Sequence, residues 1–321
     1  MKELTVKETA KRLLEAGDAY ILIHRSPDGD CIGSGYALAA ALKSIGRRVK
    51  VLCSDTISER YHFMLPMEDT SEDFKPDIII SVDVADEKLL GDELLEQYTG
   101  KVDLCIDHHI SNMGYAKELC LDGKASAACQ VIYEILKEMG VCITREIAVC
   151  LYTGIATDTG CFMYDNVSPA TLRIVAEIME QHNDIRYSVI NRNMFIVKSM
   201  GRMQLDSILT EQLESYLDGR CILVCITKQL IDKYNIDEAE LEGVAGFPLQ
   251  VENAQVGIVM KEREEGTFRI SMRSAENVNV SEICKSFGGG GHVKAAGCSI
   301  KATAEEAKRM LIEAVMKGIQ K

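Results

Sequence analysis

Nothing in this chain is long and apolar enough to cross a bilayer. Runs such as Ile78-Ile79-Ile80 and Cys221-Ile222-Leu223-Val224-Cys225-Ile226 fall far short of the roughly 20 residues that a spanning helix needs. The start, Met1-Lys2-Glu3-Leu4-Thr5-Val6-Lys7-Glu8, has acidic residues and no apolar core, which argues against a secretory signal. A soluble, cytoplasmic protein without a membrane partner is expected. Basic clusters are also missing: 36 Lys and Arg face 49 Asp and Glu, giving a net charge of −13, and the cations are spread singly. Such a surface repels a long duplex nucleic acid, whose phosphates call for a basic stripe, but tolerates a small anionic substrate held by metals. No Cys-x-x-Cys pair occurs among the twelve cysteines, which are scattered through apolar segments and read as reduced, buried small hydrophobes instead of a disulfide scaffold. There is no internal repeat, and the only low-complexity tract is Gly288-Gly289-Gly290-Gly291.

What is present suits two domains. A chain of 321 residues that is 47% hydrophobic and 26% charged is an ordinary globular composition, too long for one average domain. The first half alternates apolar strands (Tyr20 to His24, Val49 to Cys53, Ile78 to Asp83, Leu104 to Asp107) with helices (Gly33 to Ile45, Ala127 to Met139, Arg145 to Ala156). Short, nearly continuous apolar strands separated by helices imply an α/β domain with a doubly wound parallel sheet. From Ser188 to Glu214 the spacing of Ile190, Met194, Val197, Met200, Met203, Leu205 and Leu209 predicts a connecting helix. After Asp218-Gly219 strands are expected at Cys221 to Ile226, Gln255 to Met260 and Phe268 to Met272, with a helix near Val280 to Ser286, forming a smaller α/β domain. The expected boundaries are 1–187, a helical linker 188–217, and 218–321.

Four segments carry the chemistry: His24-Arg25-Ser26-Pro27-Asp28-Gly29-Asp30, Asp83 after its strand, Asp107-His108-His109, and Asp158 in Ala156-Thr157-Asp158-Thr159-Gly160. In an open parallel sheet the site lies outside the carboxyl ends of the strands, where His24, Asp83 and Asp107 fall. Pro27 and Gly29 force a turn that can aim Asp28 and Asp30 inward. Carboxylates so close repel one another unless cations lie between them, and Asp83 is placed to bridge two ions. A lone Asp at a strand end is more often a cap or turn former, and a lone His more often a core residue, but the conjunction in order argues for function. Oxygen-rich donors with a few imidazoles, and no cysteine at the ligand positions, favour Mn²⁺, with Mg²⁺ or Fe²⁺ as alternatives, over structural zinc. Residue chemistry does not choose between His108 and His109 as ligand. The expected reaction is metal-assisted phosphoester hydrolysis. In the second domain the four glycines allow backbone N–H groups to converge on an anion, with Arg273 and His292 adding charge.

In their order these residues resemble the DHH phosphoesterase superfamily. The second domain resembles its DHHA1 module, through Arg273-Ser274 and Phe287-Gly288-Gly289-Gly290-Gly291-His292-x-x-Ala295-Ala296-Gly297. The resemblance implies that His24, Asp28 and Asp83 hold one divalent cation and Asp30, Asp83, His108 and Asp158 the other. It makes Asp107 a residue that orients an imidazole, and His109 a group facing the substrate phosphate that assists protonation of the leaving oxygen. Arg273, Ser274, Gly289, Gly290, Gly291 and His292 would bind the far end of a short nucleotide.

Architecture separates the branches. Family II pyrophosphatases carry a different second domain, RecJ-like exonucleases are usually longer, and the membrane-bound cyclic dinucleotide phosphodiesterases have segments upstream. The stand-alone NrnA-type branch remains, implying hydrolysis of very short oligoribonucleotides to 5′-mononucleotides and dephosphorylation of 3′-phosphoadenosine 5′-phosphate. The alternatives are a phosphodiesterase acting on cyclic or linear di-adenylate, or a sensor that binds a nucleotide without hydrolysing it. A homodimer is compatible with this architecture. Two departures from the family stand out: Cys161-Phe162-Met163-Tyr164-Asp165 follows Asp158-Thr159-Gly160 where relatives place a basic residue, and Gln130 stands where relatives often have Glu.

Overall fold

The computed structural model describes residues 1–66, 74–236, 241, 243–264, 266–275 and 278–319. The chain divides into two compact units, Met1–Val197 and Lys198–Lys321. Among the described residues no helix is long and apolar enough to cross a membrane.

In the first unit six strands, β1 (Lys2–Glu3), β2 (Ala19–Leu22), β3 (Val49–Leu52), β4 (Ile78–Val82), β5 (Leu104–Asp107) and β6 (Glu118–Leu121), form a sheet in the order β1-β6-β5-β4-β2-β3. Every pairing is parallel, with Ala19 opposite both Val49 and Ile78, and Ile80 opposite Leu104. Strand periodicity sorts the side chains: Ile21, Ile80, Leu104 and Ile106 enter one core, Leu22, Cys105 and Leu119 the other. Helices α1 (Val6–Glu15), α2 (Gly29–Ser44), α3 (Asp92–Tyr98), α4 (Ala128–Met139), α5 (Arg145–Asp158), α6 (Pro169–Gln181) and α7 (Tyr187–Asn191) complete the unit. Leu38, Ile132, Leu136, Leu151 and Ile155 of α2, α4 and α5 fill the first core, and Leu94 and Tyr98 of α3 the second.

Helix α2 starts at Gly29, four residues before its expected start, because Asp28 is its N-cap and accepts the N–H groups of Asp30 and Cys31 at 3.0 Å each. Asp28 and Asp30 therefore belong to a helix terminus, not to a loop that alternates its side chains. Glycines let the helices close around the site: a Cβ on Gly154 of α5 would lie 2.2 Å from Cys129 Sγ and 2.9 Å from Asp30 Oδ1.

The second unit contains α8 (Met200–Glu211), β7 (Glu214–Tyr216), β8 (Cys221–Ile226), α9 (Lys228–Tyr234), β9 (Val256–Glu264), β10 (Thr267–Ser274), α10 (Val280–Lys285), β11 (Gly290–His292), β12 (Ala295–Lys301) and α11 (Ala304–Ile319). Its sheet runs β11-β12-β10-β9-β8-β7, antiparallel except for the β8–β9 pair. Ile258, Ile270 and Met272 pack with Ile283, Leu311 and Val315 of α10 and α11, whereas Val224, Ile226 and Val259 pack with Leu205 and Leu209 of α8.

The single connecting helix expected from Ser188 to Glu214 is replaced by α7, one π-helical turn over Arg192–Ile196, an extended Val197 and then α8. Ser199 starts α8 by accepting the Arg202 N–H at 2.8 Å. The helical spacing joined two stripes that serve different cores: Ile190 and Met194 are buried in the first unit, Leu205 and Leu209 in the second. Between them Val197, Met200 and Met203 are exposed.

Adding a methyl at this close contact, Gly154→Ala, is expected to destabilise the first unit by about 1–3 kcal/mol through overpacking. Denaturant titration measures it, and an unchanged midpoint would contradict the packing described.

Candidate metal centre

Three strand ends and two helix ends meet at one edge of the parallel sheet. His24 follows β2, Asp83 follows β4 and Asp107 closes β5, while Asp30 lies in the first turn of α2 and Asp158 is the last residue of α5. Asp158 is thus on a helix and not in the glycine turn that follows. Its carboxylate faces the negative end of the helix dipole, where an anion is unfavourable without a cation nearby.

His108 Nε2 is 3.8 Å from Asp30 Oδ2, 3.6 Å from Asp83 Oδ1 and 3.7 Å from Asp158 Oδ2. His24 Nε2 is 3.8 Å from Asp83 Oδ2, so the two oxygens of one carboxylate face two different imidazoles. These separations exceed a hydrogen bond and leave room for a ligand between donors. Asp83 is 3% exposed, and its Oδ1 has no hydrogen-bond partner. The residue is also held at φ 59°, a left-handed conformation that costs a non-glycine residue energy. A buried, orphaned, strained carboxylate is what a bound cation would satisfy.

Both imidazoles are fixed from behind. His108 Nδ1 lies 3.2 Å from the Ala125 carbonyl and His24 Nδ1 lies 2.8 Å from the Arg25 carbonyl. Donation to those oxygens turns each Nε2 lone pair toward the carboxylates, the tautomer a metal requires. His109 is engaged differently: its Nδ1 is 2.8 Å from Asp107 Oδ1 and 3.4 Å from Asp83 Oδ1. Asp107 Oδ1 also accepts the N–H groups of His108 and His109, and its Oδ2 accepts Asn112 Nδ2 at 2.6 Å. Asn112 is a support that the sequence did not single out.

Asp30 caps a helix it does not belong to. The N-cap of α4, Ala127, offers no side-chain acceptor, and Asp30 takes the Ala128 N–H at 2.6 Å and the Cys129 N–H at 2.9 Å. Gln130 plays a packing part: its Oε1 accepts Ser126 Oγ and Thr171 Oγ1, each at 3.1 Å, tying α4 to the start of α6.

Burial is the main force on the carboxyls. It raises Asp83 well above the carboxylate range, and the charges of Asp30, Asp28, Asp107 and Asp158 push the same way. Asp30 is raised by burial too, against the pull of His108. Burial, then Asp30 and Asp28, push Asp158 up to about 8. Burial also opposes ionisation of Asp107, but the hydrogen bonds and charge of His109 and the Asn112 amide outweigh it and hold Asp107 below the ordinary value. The reciprocal bond to Asp107 raises His109.

Two residues sit differently from the expectation. Among the described residues, ligand atoms converge in three groups: His24 with Cys31 and Asp83; Asp83 with His108 and His109; and Asp30 with His108 and Asp158. Asp28 is in none of them. Its Oδ1 caps α2, and it reaches the cluster through its charge. Cys31 is in the first, although the sequence places no cysteine among the ligands. The strand-to-helix turn that carries the motif brings Cys31 Sγ beneath His24, and no linear pattern announces it.

Residues 18–155 match the DHH family N-terminal domain and residues 220–321 the DHHA1 domain. The bifunctional oligoribonuclease and PAP phosphatase NrnA of Thermus thermophilus is 30% identical over 305 residues, covering 93% of this chain and 89% of that protein. This chain belongs to the DHH family. The NrnA of Bacillus subtilis is 24% identical over 91% of this chain and 93% of its own length. A crystal structure of an exopolyphosphatase-related protein from Bacteroides fragilis superposes with a TM-score of 0.86 at 25% identity, covering 97% of this chain and 95% of that one.

The DHHA1 region has its own groove. Arg273, Phe287, Gly288 to Gly291 and His292 line an open hollow of about 800 Å³. Two of the four glycine N–H groups are used inside the fold and so are not free to converge on an anion. Gly288 and Gly289 donate to the Lys285 and Cys284 carbonyls at the end of α10, and Gly290 and Gly291 pair with Gly297 and Ala296 across β11 and β12. Here the glycines serve close approach: a Cβ on Gly289 would lie 2.1 Å from the Gly297 carbonyl oxygen. Ser274 is buried beside this groove and does not line it.

The raised carboxyls make a sign-definite prediction. A folded-state value of about 8 for Asp158 lies above that of an unfolded Asp near 3.9, so this group's contribution is full below about pH 4 and is lost as pH rises through about 8. Metal-free Asp158→Asn is therefore expected to melt above the metal-free wild type near pH 8.5, with the gap closing toward pH 5. Added Mn²⁺ should raise the wild-type melting temperature more than the variant's. A gap independent of pH in thermal melts would contradict the electrostatic account.

Proposed function

We propose that this DHH-family chain is a two-cation phosphoesterase that releases 5′-mononucleotides from very short oligoribonucleotides and removes the 3′-phosphate of 3′-phosphoadenosine 5′-phosphate, with Mn²⁺ as its metal. One observation carries the reading: the orphaned Asp83 carboxylate, whose oxygens face His24 on one side and His108 on the other. The named activity of the NrnA relatives supports the substrate class. His24, Asp28 and Asp83 would hold one cation, and Asp30, Asp83, His108 and Asp158 the other. When bound, such cations supply Lewis acidity toward the phosphoryl oxygens and toward a water.

The chain's own residues do the rest. The carboxylates would be kept ionised by bound cations, and the chain fixes their positions: two backbone donors hold Asp30, and the Asp83 N–H donates to the Ile106 carbonyl. His109, locked through Nδ1 to the buried Asp107, keeps Nε2 for a proton that goes to the leaving oxygen. In the DHHA1 groove Arg273 supplies a guanidinium and His292 an imidazole for a phosphate or nucleotide end. The loop after Asp158 offers no cation; Gly160, Cys161 and Phe162 are all left-handed there, and Met163 and Tyr164 are exposed.

A panel of di- to pentaribonucleotides, 3′-phosphoadenosine 5′-phosphate, di-adenylates and pyrophosphate, assayed with Mn²⁺ and with chelator, tests the reading. Chelator-sensitive mononucleotide release is expected, absent in Asp83→Ala; unchanged turnover in that variant would sink the mechanism. His109→Gln is expected to lower kcat by roughly 10²- to 10⁴-fold. In contrast, Arg273→Ala should raise KM for nucleotides with little change in kcat on a small chromogenic phosphodiester. A fall in kcat on that small substrate would remove Arg273 from its binding role.

A further inference from the structure

We infer that Cys284 and Cys298 form a redox-responsive dithiol under the DHHA1 groove, which a peroxide closes to a disulfide, weakening the groove's hold on a nucleotide end. The effect on binding rests on the reading of that groove as a nucleotide site; the thiol chemistry stands apart from it. Cys284 lies in α10 and Cys298 in β12, and both belong to one buried cluster of the second unit. The two side chains hydrogen-bond one another, with the Cys284 S–H donating to the Cys298 sulfur, and neither is in a disulfide. Gly289 touches both residues. Its N–H donates to the Cys284 carbonyl at 2.9 Å, and a Cβ there would come within 2.5 Å of Cys298 Cβ.

Cys298 lines the open groove with Arg273 and the glycine run, whereas Cys284 is fully buried behind it. A solute in the groove therefore meets Cys298 first. The bond from Cys284 holds the Cys298 thiol below its ordinary value, which favours the reactive thiolate. The Cys298 sulfur attacks one peroxide oxygen: an S–O bond forms, the O–O bond breaks, and the other oxygen leaves as water with the thiol proton. The Cys284 sulfur then attacks the sulfenic sulfur: the S–S bond forms, the S–O bond breaks, and the hydroxyl leaves as water with the Cys284 proton. Two thiols are oxidised and one peroxide is reduced to two waters. The new bond joins residues 284 and 298 and so encloses the whole glycine run. Drawing the sulfurs from contact to a bond of about 2.05 Å shifts α10 against β12. Gly288 and Gly289 are hydrogen-bonded to α10, and Gly289 is packed on β12, so the groove wall moves with them.

Full-length protein is treated with hydrogen peroxide, its remaining thiols are alkylated, and a tryptic digest is read by mass spectrometry. Peptides 274–285 and 295–301 are expected to be joined, and to separate on treatment with dithiothreitol. Oxidation should raise KM for 3′-phosphoadenosine 5′-phosphate by roughly tenfold, the loss of one charged hydrogen bond, and reduction should restore it. Turnover of a small chromogenic phosphodiester should stay unchanged throughout. Cys284→Ala and Cys284→Ser should lose both the joined peptide and the change in KM. Unlinked Cys298 after a treatment that oxidises the exposed Cys142 would overturn the inference, as would a joined peptide with unchanged KM. A joined peptide in a protein whose reduced form turns over no nucleotide would sink the phosphoesterase reading while upholding the dithiol.

Discussion

Carboxylates gathered around one imidazole in a place largely closed to water are the constraint on which the first unit depends. Asp83 is 3% exposed and Asp30 1%; beyond burial, Asp83 carries the field of Asp30, Asp28, Asp107 and Asp158, and Asp30 that of Asp28. Like charges so placed either take up protons or take up cations. The surroundings are arranged to hold them in position for the second outcome: the N-terminus of α4 points two N–H groups at Asp30, Asp107 anchors His109, and main-chain carbonyls fix the tautomers of His24 and His108. The sheet explains why these residues meet. Parallel strands deliver His24, Asp83 and Asp107 to one edge, and the glycines of α2 and α5 let Asp30 and Asp158 close on them.

The two imidazoles of Asp107-His108-His109, one residue apart, are backed by different partners. His108 is backed by a neutral carbonyl and presents its Nε2 to three carboxylate oxygens, whereas His109 is backed by an anion that raises its proton affinity. The sequence left open which of them is the ligand. The partner behind each ring favours His108 as ligand and His109 as proton carrier.

Much of this was legible beforehand because it follows from periodicity and order. Short apolar strands alternating with helices imply the parallel sheet, and the carboxyl-end rule places His24, Asp83 and Asp107 together. What stayed hidden depends on contacts between distant segments. Asp30 caps α4 across 98 positions of sequence, which no local pattern shows. Cys31 faces the centre because α2 begins at Gly29, a register set by the Asp28 cap. The break between α7 and α8 escaped since buried residues on either side kept helical spacing while serving separate cores. The glycine run read as an anion cradle because composition does not reveal that α10 and β12 use its backbone. β1 is only two residues long, and α1 and α11, although amphipathic, are too rich in charge to be singled out.

The most direct test of the central claim is anomalous diffraction at the manganese absorption edge from crystals equilibrated with Mn²⁺. Two peaks about 3.5–4 Å apart are expected, one beside His24 and one beside His108, with Asp83 between them. A single peak, or density away from Asp83, would contradict the account.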